Sequence, residues 1–174
     1  MVTDSALYNG TKDLHHACEQ HPVGGAMASG TPPKIWYAAW VMALKQIHNA
    51  IDGSLPESVH RVNRLQQDLD ELELNLIPNM AAISYVNSLK DEKDLAGACY
   101  VLTGAHLMGG EVMRRRLEGF PTNHLLWDDR KEALAVLSEL RKREDIVQEA
   151  RNCFEALLNV MDEIQRVYFI KESE

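Results

Sequence analysis

Residues 96–116 read A-G-A-C-Y-V-L-T-G-A-H-L-M-G-G-E-V-M-R-R-R. The stretch lacks proline and has apolar residues at helical spacing, which predicts a helix. Each glycine inside a helix costs about 1 kcal/mol relative to alanine, and this helix contains four of them: Gly97, Gly104, Gly109 and Gly110. Several glycines inside one helix usually indicate that another group packs closely against the helix backbone. Either another helix or a flat ligand would explain the pattern, and the last two glycines favour a kink.

Helical periodicity continues along the chain, and no segment alternates as a β-strand does. Caps and breakers divide the chain into about seven predicted helices, at residues 4–21, 34–51, 57–74, 80–89, 96–116, 124–143 and 144–171. Residues 21–33 are rich in glycine and end in two prolines, and they are predicted to form a loop. The sequence therefore predicts an all-α fold with a single domain over residues 1–174.

Composition narrows the classes of function. The net charge of −8 argues against a general nucleic-acid or anionic-membrane binder. Basic runs at 114–116 and 141–143 are either a patch for an acidic partner or the solvated ends of helices. No apolar run approaches the roughly 18 residues of a membrane span, and residues 1–8 lack the pattern of a secretion signal. Three widely spaced cysteines predict free thiols in a reducing compartment, so we expect a cytoplasmic protein.

One pair of side chains on the first predicted helix has the spacing of a metal ligand and its partner. His15 and Glu19 lie at i, i+4 and therefore on one face. The carboxylate could accept the Nδ1 proton of the imidazole and leave Nε2 to bind a metal, although a surface His–Glu pair has the same spacing. A histidine ligand opposite a glycine-rich helix would form a slot for a planar iron cofactor, which indicates heme.

Four stretches in order along the chain carry a resemblance to the heme oxygenase family. Residues 11–19, T-K-D-L-H-H-A-C-E, resemble the family's proximal-helix motif T-x-x-x-H-x-x-x-E. Residues 60–69, H-R-V-N-R-L-Q-Q-D-L, are similar to H-R-x-x-x-L-x-Q-D-L, and residues 85–89 repeat the spacing Y-V-x-x-L. Residues 100–110, Y-V-L-T-G-A-H-L-M-G-G, resemble the distal helix, which in bacterial members reads close to Y-V-x-E-G-S-x-L-G-G.

The resemblance implies roles for particular residues. His15 would be the proximal ligand of the heme iron, with Glu19 as its hydrogen-bond partner. Gly104, Gly109 and Gly110 would let the distal helix lie against the face of the heme, where bulkier side chains would displace bound gas. These glycines are therefore candidate catalytic positions, and His15 is the candidate metal ligand.

The implied activity is the oxygen-dependent opening of the heme ring at one meso carbon. Its products are biliverdin, ferrous iron and carbon monoxide, so heme is both substrate and cofactor and O2 is consumed. A ferredoxin-like or flavodoxin-like protein would supply electrons, and the basic run at 114–116 would dock such an acidic donor near the heme edge. The chain would then be a compact monomer without a membrane anchor, and it would bind no nucleic acid.

The distal stretch departs from the family pattern. His106 stands where many members carry an aspartate that organises distal water, Ala105 replaces a usual serine or glycine, and Met108 lies beside the glycine pair. His106 is a candidate catalytic residue under one hypothesis, in which it takes over the water network. Under the other hypothesis it binds the iron as a second axial ligand, as in a heme carrier or sensor.

The expected anchors for the heme propionates also depart from the family pattern. The family commonly has a basic residue where this chain has Tyr8, so Lys12, Arg130 or Lys131 would have to substitute by face and charge. Tyr100 would line the pocket or hold ordered water, or else it is a core tyrosine with a satisfied hydroxyl group.

Three other functions remain as alternatives. The first is a non-catalytic heme-binding protein with two histidine ligands. The second is a di-metal oxidase site on the same fold, which needs inward carboxylates and histidines that the sequence does not place together. The third is a helical interaction domain, which would leave the four ordered motifs without an explanation.

Overall fold

A computed structural model describes residues 5–169 of the chain. Within that range the protein consists of nine α-helices and short connections without any strand, which confirms the predicted all-α class. The α-helices are α1 (Ala6–Gln20), α2 (Pro22–Ser29), α3 (Lys34–Ile51), α4 (Val62–Leu72), α5 (Met80–Ser88), α6 (Glu92–Met108), α7 (Gly110–Arg116), α8 (Arg130–Arg141) and α9 (Val147–Val167). Short 3-10 helices lie at Asp52–Ser54, Glu57–Val59 and Asn123–Leu125. The first helix is predicted to begin near Asp4 or Ser5, and Ser5 is its N-cap in the structure. Asp4 and the predicted end of the last helix near Lys171 lie outside the described residues.

The helix count of about seven was too low, for two local reasons. The predicted loop at 21–33 contains α2, which has Pro22 at its first position and is capped by His21, whose Nδ1 accepts a hydrogen bond from the Val23 amide at 3.1 Å. The glycine-containing helix ends at Met108 and restarts at Gly110, so the expected kink divides it into α6 and α7.

Two predicted helices begin five or six residues later than their sequence pattern indicates, and the last one begins at Val147 instead of residue 144. Residues 57–59 and 123–125 form single 3-10 turns, and the α-helices start after them at Val62 and Arg130. Asp52 determines the first of these starts, because its Oδ2 accepts the Arg61 amide at 2.7 Å and the Val62 amide at 3.1 Å. Asp129 caps α8 by accepting the Glu132 amide at 3.0 Å.

The last helix, α9, is the centre of the bundle and packs against α1, α3, α5 and α6. Its apolar face is buried over the whole length of the helix: Ala150, Cys153, Phe154, Ala156, Leu157, Val160, Met161 and Ile164. On α6, Gly97 lies close to α9, because an added Cβ there would be 2.6 Å from the Glu149 carbonyl carbon. No helix in the described part of the chain is both long and apolar enough to span a membrane.

Candidate functional site

A cavity of about 530 Å³ lies between α1 and α6, within the 300–1,000 Å³ typical of ligand pockets. Both helices pack on α9, which supplies part of the cavity wall. Large apolar side chains from four different helices line it: Met27, Trp40, Leu137, Phe154, Leu157 and Met161. The cavity therefore suits a ligand that is largely apolar, and its polar groups are few and come mainly from α1.

His15 and Glu19 both line this cavity on the α1 side. The His15 side chain is 54% exposed, and its ring makes an edge contact with Phe154, with ring centroids 5.9 Å apart and an angle of 71° between the planes. The ring nitrogen of His15 nearest to Glu19 is Nε2, at 3.5 Å from Oε1, whereas the sequence predicts a contact with Nδ1. Since Glu19 is 56% exposed, its carboxylate can leave Nε2 to a metal without losing a buried contact.

On the opposite wall, α6 presents mostly small residues. Val101, Gly104, Ala105, Met108 and Gly109 line the cavity at helical spacing. A Cβ added at Gly104 would touch only the Cδ1 atom of Leu137, at 3.9 Å, so packing within the protein does not require glycine there. The glycine instead widens the cavity opposite His15, which fits the close approach of a flat ligand.

The four glycines of residues 96–116 therefore occupy positions with different structural surroundings. Gly97 is required by the contact with α9, whereas Gly104 and Gly109 face the cavity. Gly110 is buried against Leu125 and is not part of the cavity wall. The sequence left helix packing and the approach of a flat ligand as alternatives. Gly97 fits the first explanation, whereas Gly104 and Gly109 fit the second.

Tyr100 lies at the cavity, as one of its two interpretations expects. Its side chain is half-buried, and burial raises the pKa of its hydroxyl group. The hydroxyl therefore stays protonated near neutral pH and can act as a hydrogen-bond donor.

His106 does not line the cavity, where both hypotheses for its role would need it. It is buried on another side of α6, with its ring centroid 6.1 Å from that of His48 and 5.4 Å from that of His124. The physical reason is the helical period, because residue 106 lies about 200° from residue 104 around α6. In this structure His106 is therefore not positioned to bind an iron opposite His15 or to hold water at that face.

The surroundings of His106 are two carboxylate–histidine pairs. His48 Nδ1 lies 2.7 Å from Asp52, and His124 Nδ1 lies 2.5 Å from Asp68. Burial works to raise the pKa of both carboxyl groups, but the histidine and backbone hydrogen bonds outweigh it and hold each pKa below its usual value. Burial lowers the pKa of His106 well below its usual range, and the neighbouring histidines lower it further.

Motif residues from 60–69 support this cluster and lie outside the cavity lining. Asp68 accepts the backbone amides of Asn123 and His124, at 2.7 and 3.1 Å. Arg61 donates hydrogen bonds to the carbonyl oxygens of His124 and Leu126, and its guanidinium group stacks 3.7 Å above the ring centroid of Trp127. This part of the family-like pattern holds the segment after α7 in place.

Of the three expected propionate anchors, only Lys12 lines the cavity. Arg130 donates a hydrogen bond to the Leu107 carbonyl at 3.1 Å, at the end of α6, and neither it nor Lys131 lines the cavity. These two predicted anchors lie away from the cavity because α8 reaches it with its opposite end. Arg141, which the sequence placed in a run of basic residues at a helix end, lines the cavity instead.

No protein-family model matches the sequence, and no curated protein is significantly similar to it. The heme oxygenase of Leptospira interrogans is similar in structure, with a TM-score of 0.78, 18% sequence identity, and coverage of 92% of this chain and 100% of that chain. The chain has the heme oxygenase fold.

Two cyanobacterial proteins from Synechocystis share this heme oxygenase fold. Heme oxygenase-1, solved in complex with heme, has a TM-score of 0.77 and 18% identity, covering 95% of this chain and 92% of that one. Heme oxygenase-2, solved with heme and NO, has a TM-score of 0.79 and 21% identity, covering 95% of this chain and 86% of that one. The likeness therefore extends over nearly the whole chain, while the sequences have diverged strongly.

Proposed function

We propose that the cavity between α1 and α6 binds heme and that the protein is a heme oxygenase. The observation that carries the proposal is the position of His15 across one apolar cavity from the small-residue face of α6. The heme oxygenase fold of the chain and the four motifs in order support it. In the described residues no three histidine, cysteine or acidic side chains are arranged to hold a metal ion, and a porphyrin iron needs only one protein donor, since the macrocycle supplies four nitrogens.

Each wall of the cavity has a task in this proposal. His15 binds the iron, and Phe154 limits the rotation of its ring. Gly104 and Gly109 leave room for the face of the porphyrin, while Lys12 and Arg141 supply positive charge for the propionates. Bound heme would be both the substrate and the group that binds O2, and the apolar lining would limit the access of bulk water to it.

Electrons must come from an external donor, and the edge of the cavity offers a basic surface for it. Met113 and Ala28 line the cavity, and Arg116 donates a hydrogen bond to the Ala28 carbonyl at 3.0 Å. The run at 114–116 therefore lies beside the cavity, where it would attract an acidic ferredoxin-like or flavodoxin-like protein despite the net charge of −8. We propose that the protein acts as a cytoplasmic monomer with such a donor.

The direct test is reconstitution with hemin, followed by addition of ferredoxin, its reductase, NADPH and O2. We expect a Soret band that decays into the broad red absorption of biliverdin, with release of carbon monoxide. The variant His15→Ala should lose both the normal Soret band and the turnover. An unchanged spectrum in that variant would contradict the proposed iron ligand.

A second candidate function is favoured by one observation on α6. Apart from Tyr100, no residue of α6 that lines the cavity has a side chain that donates a hydrogen bond, and neither does Gly109 at the end of that helix. A non-catalytic heme-binding protein on the same fold needs no such donor. A stable heme spectrum with no decay in the presence of the reducing system would indicate this function.

A further inference from the structure

We propose that Met108 is the sixth ligand of the heme iron, on the side opposite His15, in the resting complex. The inference rests on the proposed binding of heme in the cavity. It assigns to this chain a distal ligand other than the histidine that the sequence suggested.

Met108 lies on the α6 wall of the cavity. It is the last residue of α6 and lines the cavity on the same helical face as Gly104 and Ala105. These two neighbours carry at most a Cβ, so the Met108 thioether is the longest side chain on that part of the wall. It is 52% exposed, so packing within the described part of the protein does not enclose its side chain.

The other donors near the cavity are less suitable. Met27 and Met161 are 4% and 2% exposed and are part of the hydrophobic core. Cys18 follows His15 by one helical turn on α1, so it lies on the wall of His15 and not across from it. His106 is buried in contact with His48 and His124, away from the cavity.

One further sulfur, that of Met113, requires an experimental comparison. It lies on α7 beyond the kink at Gly109, is partly buried, and packs against the core. Its replacement therefore serves as a test of which thioether is bound, whereas Met80, 64% exposed on α5, serves as a distant methionine control.

The chemistry of a thioether gives the ligand a definite effect. Sulfur of methionine is a neutral, soft donor that binds heme iron in cytochromes c and raises the reduction potential. Any O2 or carbon monoxide that binds the iron must first displace it. Met108 would therefore make reduction of the bound heme easier and slow the binding of gas, which ties the rate of oxygen use to the release of one side chain.

The test compares hemin complexes of the wild type with those of Met108→Leu, Met113→Leu and Met80→Leu, after thermal melting has shown that each variant folds. We expect a low-spin ferric wild-type complex with the far-red charge-transfer band of an iron–methionine bond. Met108→Leu should lose this band, lower the reduction potential and bind carbon monoxide faster. The other two variants should keep the wild-type spectrum.

The possible failures are distinguishable. A wild-type complex with a Soret band but without the methionine band, or a band that survives in Met108→Leu, overturns the assignment of Met108 and leaves the proposed heme site standing. Loss of the band in Met113→Leu alone also overturns it. Absence of any Soret band in the wild type overturns the proposed function itself.

Discussion

His106 packs edge to face against His124, with ring centroids 5.4 Å apart and an angle of 87° between the planes, on a side of α6 that does not line the cavity. The contact places a buried histidine between two carboxylate–histidine pairs, beneath the wall of the candidate site. Protonation of His106 should therefore destabilise that wall, and the effect can be measured as a dependence of the free energy of unfolding on pH.

We expect acid to destabilise the protein through His106. Its folded-state pKa lies well below the unfolded value of about 6.5, so the unfolded chain binds a proton that the folded chain does not. The free energy of unfolding should fall as the pH drops below about 6.5, by up to about 1.4 kcal/mol per pH unit for this one proton, until the folded pKa is reached.

Urea unfolding between pH 8 and pH 5 would measure this slope. The variant His106→Leu should have a smaller slope over the same range, because it has no proton to take up. A matched control is His16→Leu, since His16 is exposed on α1. Equal slopes in the wild type and His106→Leu would show that other groups carry the acid sensitivity.

Substitutions at Gly97 and Gly104 should have opposite effects on stability. Gly97→Ala places a Cβ 2.6 Å from the backbone of Glu149 and should cost about 1–3 kcal/mol. Gly104→Ala meets only Leu137 at 3.9 Å and should stabilise the folded state by about 0.5–1 kcal/mol, because it removes the entropy cost of glycine in a helix.

Hemin titration separates the two roles of these glycines. A larger residue, as in Gly104→Leu, should fold but bind hemin weakly, since its side chain would extend into the cavity. If Gly104→Leu binds hemin as the wild type does, the proposed contact between α6 and the porphyrin is wrong.

Removal of Glu19 should weaken iron binding without abolishing it. Groups that orient a metal-binding histidine typically contribute about 10- to 100-fold in affinity. We expect the lower end for Glu19→Gln, because Glu19 is half exposed and lies 3.5 Å from Nε2, so it would have to turn to Nδ1 to orient an iron-bound His15. His15→Ala should remove the normal Soret band, and added imidazole should restore it. Failure of imidazole to restore the band would indicate that His15 supports the fold and does not bind iron.

Replacement of Arg141 should affect the affinity for hemin, whereas replacement of Arg130 should affect thermal stability. Arg141→Ala removes positive charge from the cavity and should weaken the binding of hemin, most strongly together with Lys12→Ala. Arg130→Ala removes the hydrogen bond to Leu107 and should lower the melting temperature with little change in hemin affinity. Hemin titration and thermal melting of both variants test this, and a reversed pattern would restore the anchor that the sequence suggested.

Several features of the fold were predictable because they depend on near neighbours in sequence. The start of α1 follows from Ser5, whose side chain caps the helix by accepting the Tyr8 amide at 3.1 Å. The buried face of α9 follows from the spacing of its apolar residues. The starts of α4 and α8 were predicted too early, since a single 3-10 turn and the first turn of an α-helix have similar local patterns.

The sequence by itself determined the all-α class, the pair His15 and Glu19 on one face of α1, and a glycine-containing helix that something approaches closely. These follow from helical period and glycine cost, which are local. Only the tertiary structure decided that Gly97 meets α9 while Gly104 faces a cavity, that His106 is buried elsewhere, and that Arg141 reaches the site. Such facts depend on the rotation of each helix about its own axis and on which helix end packs nearby, and contacts distant in sequence determine both.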